Sequence, residues 1–246
     1  MSMRRRDLLT GTALVLVGDR LAGAEALTAR IPWQPDAGTP PTPVKPGPWE
    51  FFTNPEAAAV EALVDRIIPP DPQTPGGKGA GCAVFIDRQL AGGYGHNEGH
   101  YNLPPFEHGK EQQGPQSADG PAETYRAVLA ALDRYCRSQS GADRGKAFAE
   151  LAAARQDEIL HGIESGSIKL EGVDGQSWFN LLIKDTQQGF FADPIYGGNR
   201  DMCAWKMIGF PGARYDYRDW VGRHNERYPY PPVSIAGRPQ WTPGRS

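Results

Sequence analysis

The sequence predicts an all-α fold, and three observations lead to that prediction. Apolar residues recur at helical spacing in several segments, most clearly between Pro121 and Ser140. No segment of useful length alternates apolar and polar residues with the period of two that is typical of a half-buried strand. The 246 residues include 30 glycines and 23 prolines, which indicates long irregular segments around a compact helical core.

The first helices are placed by their caps and by the residues that stop them. Asn54 is a favourable N-cap and Pro55 a favourable first helical residue, so the domain is expected to begin there. The proline pair at 69–70 is expected to stop this helix. A glycine-rich turn over 76–81 then precedes a second, short helix around 84–90. The apolar face of the first helix is expected to consist of Val60, Leu63, Val64 and Ile67.

The second half of the chain holds the longest helical patterns. The helix over 121–140 carries an apolar stripe, and further helical segments are expected over 143–151 and up to Gly166. Asp174 is expected to cap the last long helix, which stops before Asp193. The stripe of the helix over 121–140 consists of Tyr125, Val128, Leu129, Leu132, Tyr135 and Cys136. Four aromatic residues of the last helix could stack on a cofactor, but their helical spacing predicts core packing instead. These four are Trp178, Phe179, Phe190 and Phe191.

The N-terminus has the order of a twin-arginine export signal. Arg5 and Arg6 are followed by a short apolar run that begins at Leu8 and Leu9, and then by small residues suited to cleavage. The run is too short to span a membrane, which needs about 20 apolar residues. We therefore expect residues 1–26 to be an export signal rather than a disordered basic start. This route carries proteins that have already folded in the cytoplasm.

Three further regions follow the signal. Residues 27–53 are rich in proline and are expected to form an extended linker. Residues 54–236 are expected to form the helical domain, and residues 237–246 a C-terminal tail. A chain of this length suits one domain with long appendages.

Composition and motifs exclude several classes of function. The net charge of −3 gives no reason to expect nucleic acid binding. The sequence lacks a G-x-G-x-x-G dinucleotide fingerprint, a P-loop, a C-x-x-C-H haem motif and a G-x-S-x-G nucleophile elbow. Cys82, Cys136 and Cys203 form no C-x-x-C pair. In an exported protein, their odd number leaves at least one thiol unpaired or bonded to another chain.

One loop supports an alternative function, that of a metal-dependent oxidoreductase. It carries His96, Glu98, His100, Glu107 and His108. If this segment were helical, the first two histidines would share a face and could bind zinc or iron together with a carboxylate. The surrounding glycines argue against a helix, and imidazoles in such a loop are most often solvated. We therefore expect no metal site here.

The segment from Tyr196 to Trp220 is expected to wrap the core as ordered coil. It is rich in glycine, arginine and aromatic residues, and Tyr, Trp and Arg are frequent in interface hot spots. The residues predicted to bind a partner are Trp205, Phe210, Arg214, Tyr215, Tyr217 and Trp220. Of these, Trp205, Phe210 and Tyr215 are expected to be partly exposed in the lone chain and covered in a complex. Two alternatives stay open. One is a solvated tail with internal salt bridges, and the other is packing of Trp205 and Phe210 inside the domain.

Two long stretches of the sequence are distinctive. The first is VDRIIPPDPQTPGGKGAGCAVFIDRQLAG, from Val64 to Gly92, and the second runs from Asp174 to Tyr217. The second stretch contains GFFADPIYGGN and then WKMIGFPGA, which together are long and specific. The chain resembles the gluconate 2-dehydrogenase subunit 3 family in these stretches, and the resemblance covers most of residues 54–236.

The resemblance implies an accessory role. Proteins of this family are small, non-catalytic subunits of membrane-associated, FAD-dependent sugar and polyol dehydrogenases, and no catalytic residue can be carried over from them. The implied partners are a GMC-type, FAD-dependent large subunit without its own signal peptide, a cytochrome c subunit that accepts electrons, and the twin-arginine translocase. The FAD would lie in the large subunit, with no cofactor in this chain. The complex would be periplasmic, at the outer face of the inner membrane.

Overall fold

The predicted all-α class is confirmed. The computed structural model describes residues 43–44, 47–99, 104, 106, 110, 119–214 and 217–236. Within these ranges the chain forms seven α-helices and five short 3-10 helices, and it has no strand beyond one isolated bridge pair. The α-helices are α1 (Asn54–Ile67), α2 (Gly76–Gly79), α3 (Cys82–Ala91), α4 (Pro121–Arg137), α5 (Ala153–Glu164), α6 (Gly175–Phe191) and α7 (Cys203–Ile208). The 3-10 helices are Gly141–Asp143, Phe148–Glu150, Pro194–Tyr196, Arg200–Met202 and Arg218–Trp220.

Helix α6 lies at the centre of the fold, in contact with α1, α3, α4, α5 and α7. Its Trp178 and Leu182 are fully buried, and burial of side chains of this size contributes about 1.5–3 kcal/mol each. Gly189 lets α3 approach closely, because a Cβ there would lie 2.9 Å from the ring of Phe85. The apolar stripes predicted for α1 and α4 face the same core, with Ile67 and Tyr135 only half-buried at its edge.

The caps of two helices follow the sequence, with a shift of one residue at α1. The N-cap of α1 is Thr53 rather than Asn54. Glu56 reaches back to accept hydrogen bonds from the Thr53 backbone N–H and hydroxyl, both at 2.8 Å, as the glutamate of a capping box does, and this makes Thr53 the N-cap. Asp174 caps α6 as predicted, since its carboxylate accepts from the Ser177 backbone N–H at 3.0 Å.

Three predicted segments differ from the structure. Residues 76–79 form the one-turn helix α2 rather than a turn, packed tightly on α1. The helix expected over 143–151 is absent, because Gly145 adopts a left-handed φ of 77° and separates two 3-10 turns. The segment after Tyr196 is not entirely coil, because it contains α7 and two 3-10 turns.

The end of the predicted linker belongs to the folded domain. Phe52 is only 4% exposed within the core. The fully buried carboxylate of Asp87 accepts backbone N–H groups from Glu50, Phe51 and Phe52 at 2.8–3.0 Å. Arg88 also forms an ion pair with Asp87, so this buried carboxylate has both hydrogen-bond donors and a countercharge. The predicted signal (residues 1–26) and tail (237–246) lie outside the described residues.

Candidate partner-binding surface

Helix α7 is held in place by a buried asparagine in a strained turn. Asn199 donates to the Ala192 carbonyl at 2.8 Å and accepts from the Ala204 N–H at 2.9 Å. Asn199, Asp201 and Met202 have φ values of 44°, 55° and 54°. Non-glycine residues in this region cost on the order of 1–3 kcal/mol each. The surrounding contacts therefore fix α7 in one orientation.

Trp205 anchors α7 to the core rather than facing solvent. It is 6% exposed, and its indole N–H donates to the Phe191 carbonyl at 2.9 Å. Partial exposure of this ring was expected from the sequence, and that expectation is wrong. The reason is the turn at Asn199, which directs the first turn of α7 inward.

Phe210 is brought back over Trp205 by a left-handed glycine. Gly209 ends α7 with a φ of 72°, and the Phe210 N–H donates to the Trp205 carbonyl at 2.9 Å. The two rings meet edge to face with centroids 5.1 Å apart. Phe210 nevertheless stays 43% exposed, so the exposure expected of it is confirmed.

Four large apolar side chains are exposed at this end of the molecule. We call this set the apolar patch: Phe191, Met207, Ile208 and Phe210, with exposures of 42%, 46%, 56% and 43%. The sequence analysis assigned Phe191 to the core, which is wrong, and it did not single out Met207 or Ile208. A signal for Met207 was present, because it lies about 200° around the helix from Trp205. If one of the two residues faces the core, the other therefore faces away from it.

Beyond α7, the described residues 213–214 and 217–232 form a segment whose two ends meet, which we call the aromatic lobe. Its ends meet at the bridge between Gly212 and Val233, where the Ala213 N–H donates to the Val233 carbonyl at 2.7 Å. Ring contacts with centroids 5.0–5.9 Å apart fill it. The rings are those of Tyr217, Trp220, Tyr228 and Tyr230.

The lobe contains three of the residues predicted to bind a partner. The Arg214 guanidinium lies over the Tyr228 ring at 5.3 Å and donates to the Pro231 carbonyl at 2.8 Å. Tyr217 is 37% exposed and Trp220 is half-buried. Tyr215 lies outside the described residues. Trp205 lies on α7 and Phe210 just after it, so the predicted set divides between two adjoining regions, and its binding role stays a prediction.

The candidate metal loop does not form a site within the residues that the structure describes. His96 is exposed, and its Nδ1 lies 3.7 Å from a carboxylate oxygen of Glu123. Glu98 is exposed in a run of turns rather than on a helix. No group of three potential ligands occurs in the described ranges. His100, Glu107 and His108 lie outside them.

Sequence reasoning missed a buried carboxylate on α6. Asp185 is 2% exposed and accepts hydrogen bonds from the hydroxyls of Tyr94 and Tyr125, at 2.7 and 2.9 Å. Burial raises the pKa of Asp185, and the two hydroxyls offset only part of that rise. Perturbed carboxylates often mark active sites. Here both partners tie separate segments to the core, which makes the group structural.

The cysteine thiols are poorly suited to nucleophilic chemistry. Burial raises the pKa of Cys82 to about 12 and that of Cys136 to about 11. Burial also raises the pKa of the half-buried Cys203. All three are free thiols. The thiolate is the reactive form, so these groups are unreactive near neutral pH.

One cavity, of about 600 Å³, lies between the starts of α4 and α6. It is lined in part by Trp178, whose indole N–H has no acceptor among the described residues. Two lining carboxylates are already engaged in helix caps, since Glu123 accepts from the Gly120 N–H and Asp174 from the Ser177 N–H. A single free donor defines no cofactor, so we assign none to this cavity.

Among the described helices, none is both long and apolar enough to cross a bilayer. The described chain is thus an all-helical domain whose most distinctive surface is apolar and aromatic. Residues 54–212 match the family model for gluconate 2-dehydrogenase subunit 3. The chain belongs to this family and is an accessory subunit of the gluconate 2-dehydrogenase subunit 3 type. Searches of curated proteins and of solved structures gave no significant match. The family match ends at Gly212, where the aromatic lobe begins.

Proposed function

We propose that this chain is the non-catalytic small subunit of an FAD-dependent sugar or polyol dehydrogenase. In this role it stabilises the flavin-bearing large subunit and escorts it through the twin-arginine translocase. The complex works in the periplasm, at the outer face of the inner membrane, and passes electrons to a cytochrome c subunit. The FAD belongs to the large subunit.

Membership of the gluconate 2-dehydrogenase subunit 3 family is the observation that carries this proposal. The described surface supports it, because the apolar patch and the aromatic lobe are suited to binding a protein. The arginine pair at the N-terminus supports the export role. A flavin subunit without its own signal would reach the periplasm only when bound to a chain that has one.

Conservative replacement of the arginine pair tests the escort. In the native host, the double variant R5K/R6K should keep the folded chain and its flavin partner in the cytoplasm. The chemical reason is that lysine keeps the charge but not the planar guanidinium. Dehydrogenase activity and both polypeptides are then measured in periplasmic and cytoplasmic fractions.

The neighbouring Arg4 provides a matched control. R4K makes the same chemical change outside the pair and should leave export unchanged. Normal periplasmic dehydrogenase activity in R5K/R6K would contradict the escort role. A bound partner chain without flavin would contradict the proposed class of dehydrogenase.

A further inference from the structure

We infer that the apolar patch and the aromatic lobe together form the docking surface for the flavin-bearing subunit. The matching surface on that partner is an apolar socket with an acidic rim. This inference rests on the proposed function and adds to it the residues and the chemistry of the contact. It also changes the anchors expected from the sequence, because Trp205 supports the surface from below and Met207 and Ile208 face outward.

The first argument is rigidity. The left-handed residues before α7, the buried Asn199 and the Trp205 hydrogen bond fix this short helix in one orientation. The molecule thereby holds apolar side chains in water with little freedom to turn inward. Strained backbone of this kind clusters at ligand clamps and binding sites. A preorganised surface also loses less conformational entropy on association.

The second argument is size. With total areas of about 200 Å² per residue, the exposed fractions of the patch leave on the order of 350 Å² of apolar surface. Patches of this size on a monomer are often functional. A stable interface takes about 800 Å² from each partner. A symmetric contact of two copies through the patch alone would therefore be too small, and the contact must continue onto neighbouring surface.

The aromatic lobe supplies that continuation. It begins at residue 213, three residues after Phe210, and it exposes Tyr217, Val221 and Tyr230 by 37%, 74% and 54%. Exposed tyrosine beside arginine is typical of the residues that dominate binding energy.

The third argument is charge. The described residues 214 and 217–236 contain four arginines (Arg214, Arg218, Arg223 and Arg227) and two acidic residues (Asp219 and Glu226), although the whole chain has a net charge of −3. This basic end sits beside the apolar patch. Complementary charge around an apolar centre steers encounter and fixes orientation, so an acidic rim on the partner fits this surface.

A protein partner fits better than a lipid surface. Arg223 stacks on Trp220 at 4.7 Å and lies 3.7 Å from Glu226. Arg214 stacks on tyrosine rings. Rings and carboxylates hold these arginines in fixed orientations, which suits a defined contact with a protein. Lipid headgroups are instead bound by clusters of unpaired basic residues.

The test uses the full chain co-expressed with the flavin-bearing chain that co-purifies with it, identified by mass spectrometry and flavin absorbance. The variant M207E/I208E should weaken binding of that purified chain at least about thirtyfold, because it places two charges in an apolar contact. M207S/I208S should weaken it less. R223E/R227E should weaken it most at low salt, where unscreened charges dominate.

Two controls keep the result interpretable. A154E places the same charge on an exposed face of α5 and should bind as wild type. The melting temperature of every variant should stay within about 2 °C, since the changed side chains are exposed.

Three results would overturn the inference. If wild type binds the flavin-bearing chain and M207E/I208E binds it equally well, the docking surface is wrong and the proposed function stands. If wild type captures no flavin-bearing chain, both are wrong. If the patch variants lose binding only to anionic phosphatidylglycerol vesicles, the surface belongs to a membrane contact.

Discussion

Asp185 connects three segments that are far apart in sequence. It lies on α6, while its two hydrogen-bond donors lie in the loop after α3 (Tyr94) and on α4 (Tyr125). Such a group is costly to leave unpaired in a low-dielectric interior, so its two hydroxyl partners specify how α4 and the loop meet α6.

The pH dependence of stability should reveal this carboxyl. The pKa of Asp185 is raised in the folded protein. Its contribution to the free energy of unfolding is therefore fully present below the pKa of the unfolded chain, about 4, and is lost as pH rises through the pKa of the folded protein. D185N should cost about 1–3 kcal/mol near pH 4, and the gap from wild type should narrow as pH rises. Urea unfolding at several pH values measures the gap.

Asp174 is a control with the opposite sign. Hydrogen bonds from the Ser177 hydroxyl and backbone lower the pKa of Asp174, so its contribution is present above about 4 and is lost as pH falls. The gap between wild type and D174N should therefore close at acid pH. A D185N gap that widens with rising pH would show that Asp185 is not the buried acid described.

At the scale of elements, the junction of α1 and α2 depends on one glycine. A Cβ at Gly77 would lie 2.2 Å from the Val64 carbonyl oxygen, and neither group is at the end of a flexible side chain. The backbones of the two helices therefore touch directly, which explains why the glycine-rich segment lies flat on α1.

G77A should destabilise the protein by about 1–3 kcal/mol, because the clash can be relieved only by moving a helix. Urea unfolding with an unchanged slope would show the loss as a lower midpoint. The matched control is G222A, since a Cβ at Gly222 meets nothing within 4 Å. Equal midpoints for G77A and G222A would contradict the close approach.

The helices themselves could be predicted where apolar residues recur with the helical period of about 3.6 residues, as in α1, α4 and α6. The 143–151 segment could not, because the left-handed Gly145 overrides an apolar pattern that looks helical. The backbone donors to Asp87 and the hydroxyl donors to Asp185 could not be predicted either, since they lie more than 30 residues away. Of the apolar patch, only the exposure of Phe210 was predicted from the sequence. The other members could not be predicted, because the turn at Asn199 determines which face of α7 points inward.

At the scale of the whole molecule, the aromatic lobe is separable from the helical domain. Its rings pack on one another and are absent from the described core cluster, and its two ends lie side by side at Gly212 and Val233. The domain should therefore be able to lose the lobe without losing its core.

Replacing residues 214–231 by a short Gly-Ser linker should keep the helix content and leave the melting temperature within a few degrees. Binding of the flavin-bearing subunit should fall, because the larger part of the docking surface is gone. Circular dichroism and binding measured on the same protein check both statements. A shortened chain that unfolds would show that the lobe supports the core; full binding would remove it from the interface.

The central position of α6 also determines when the chain can fold during synthesis. Every earlier core helix packs on α6, yet residue 191 is made 124 residues after residue 67. At about 5–20 residues per second, α1 waits roughly 6–25 s for this partner. Helices this short are marginal alone in water, so the core stays largely unformed until α6 has been made. The fold closes only afterwards, and a large subunit that is already present meets its binding surface only once α6 and α7 have both been made.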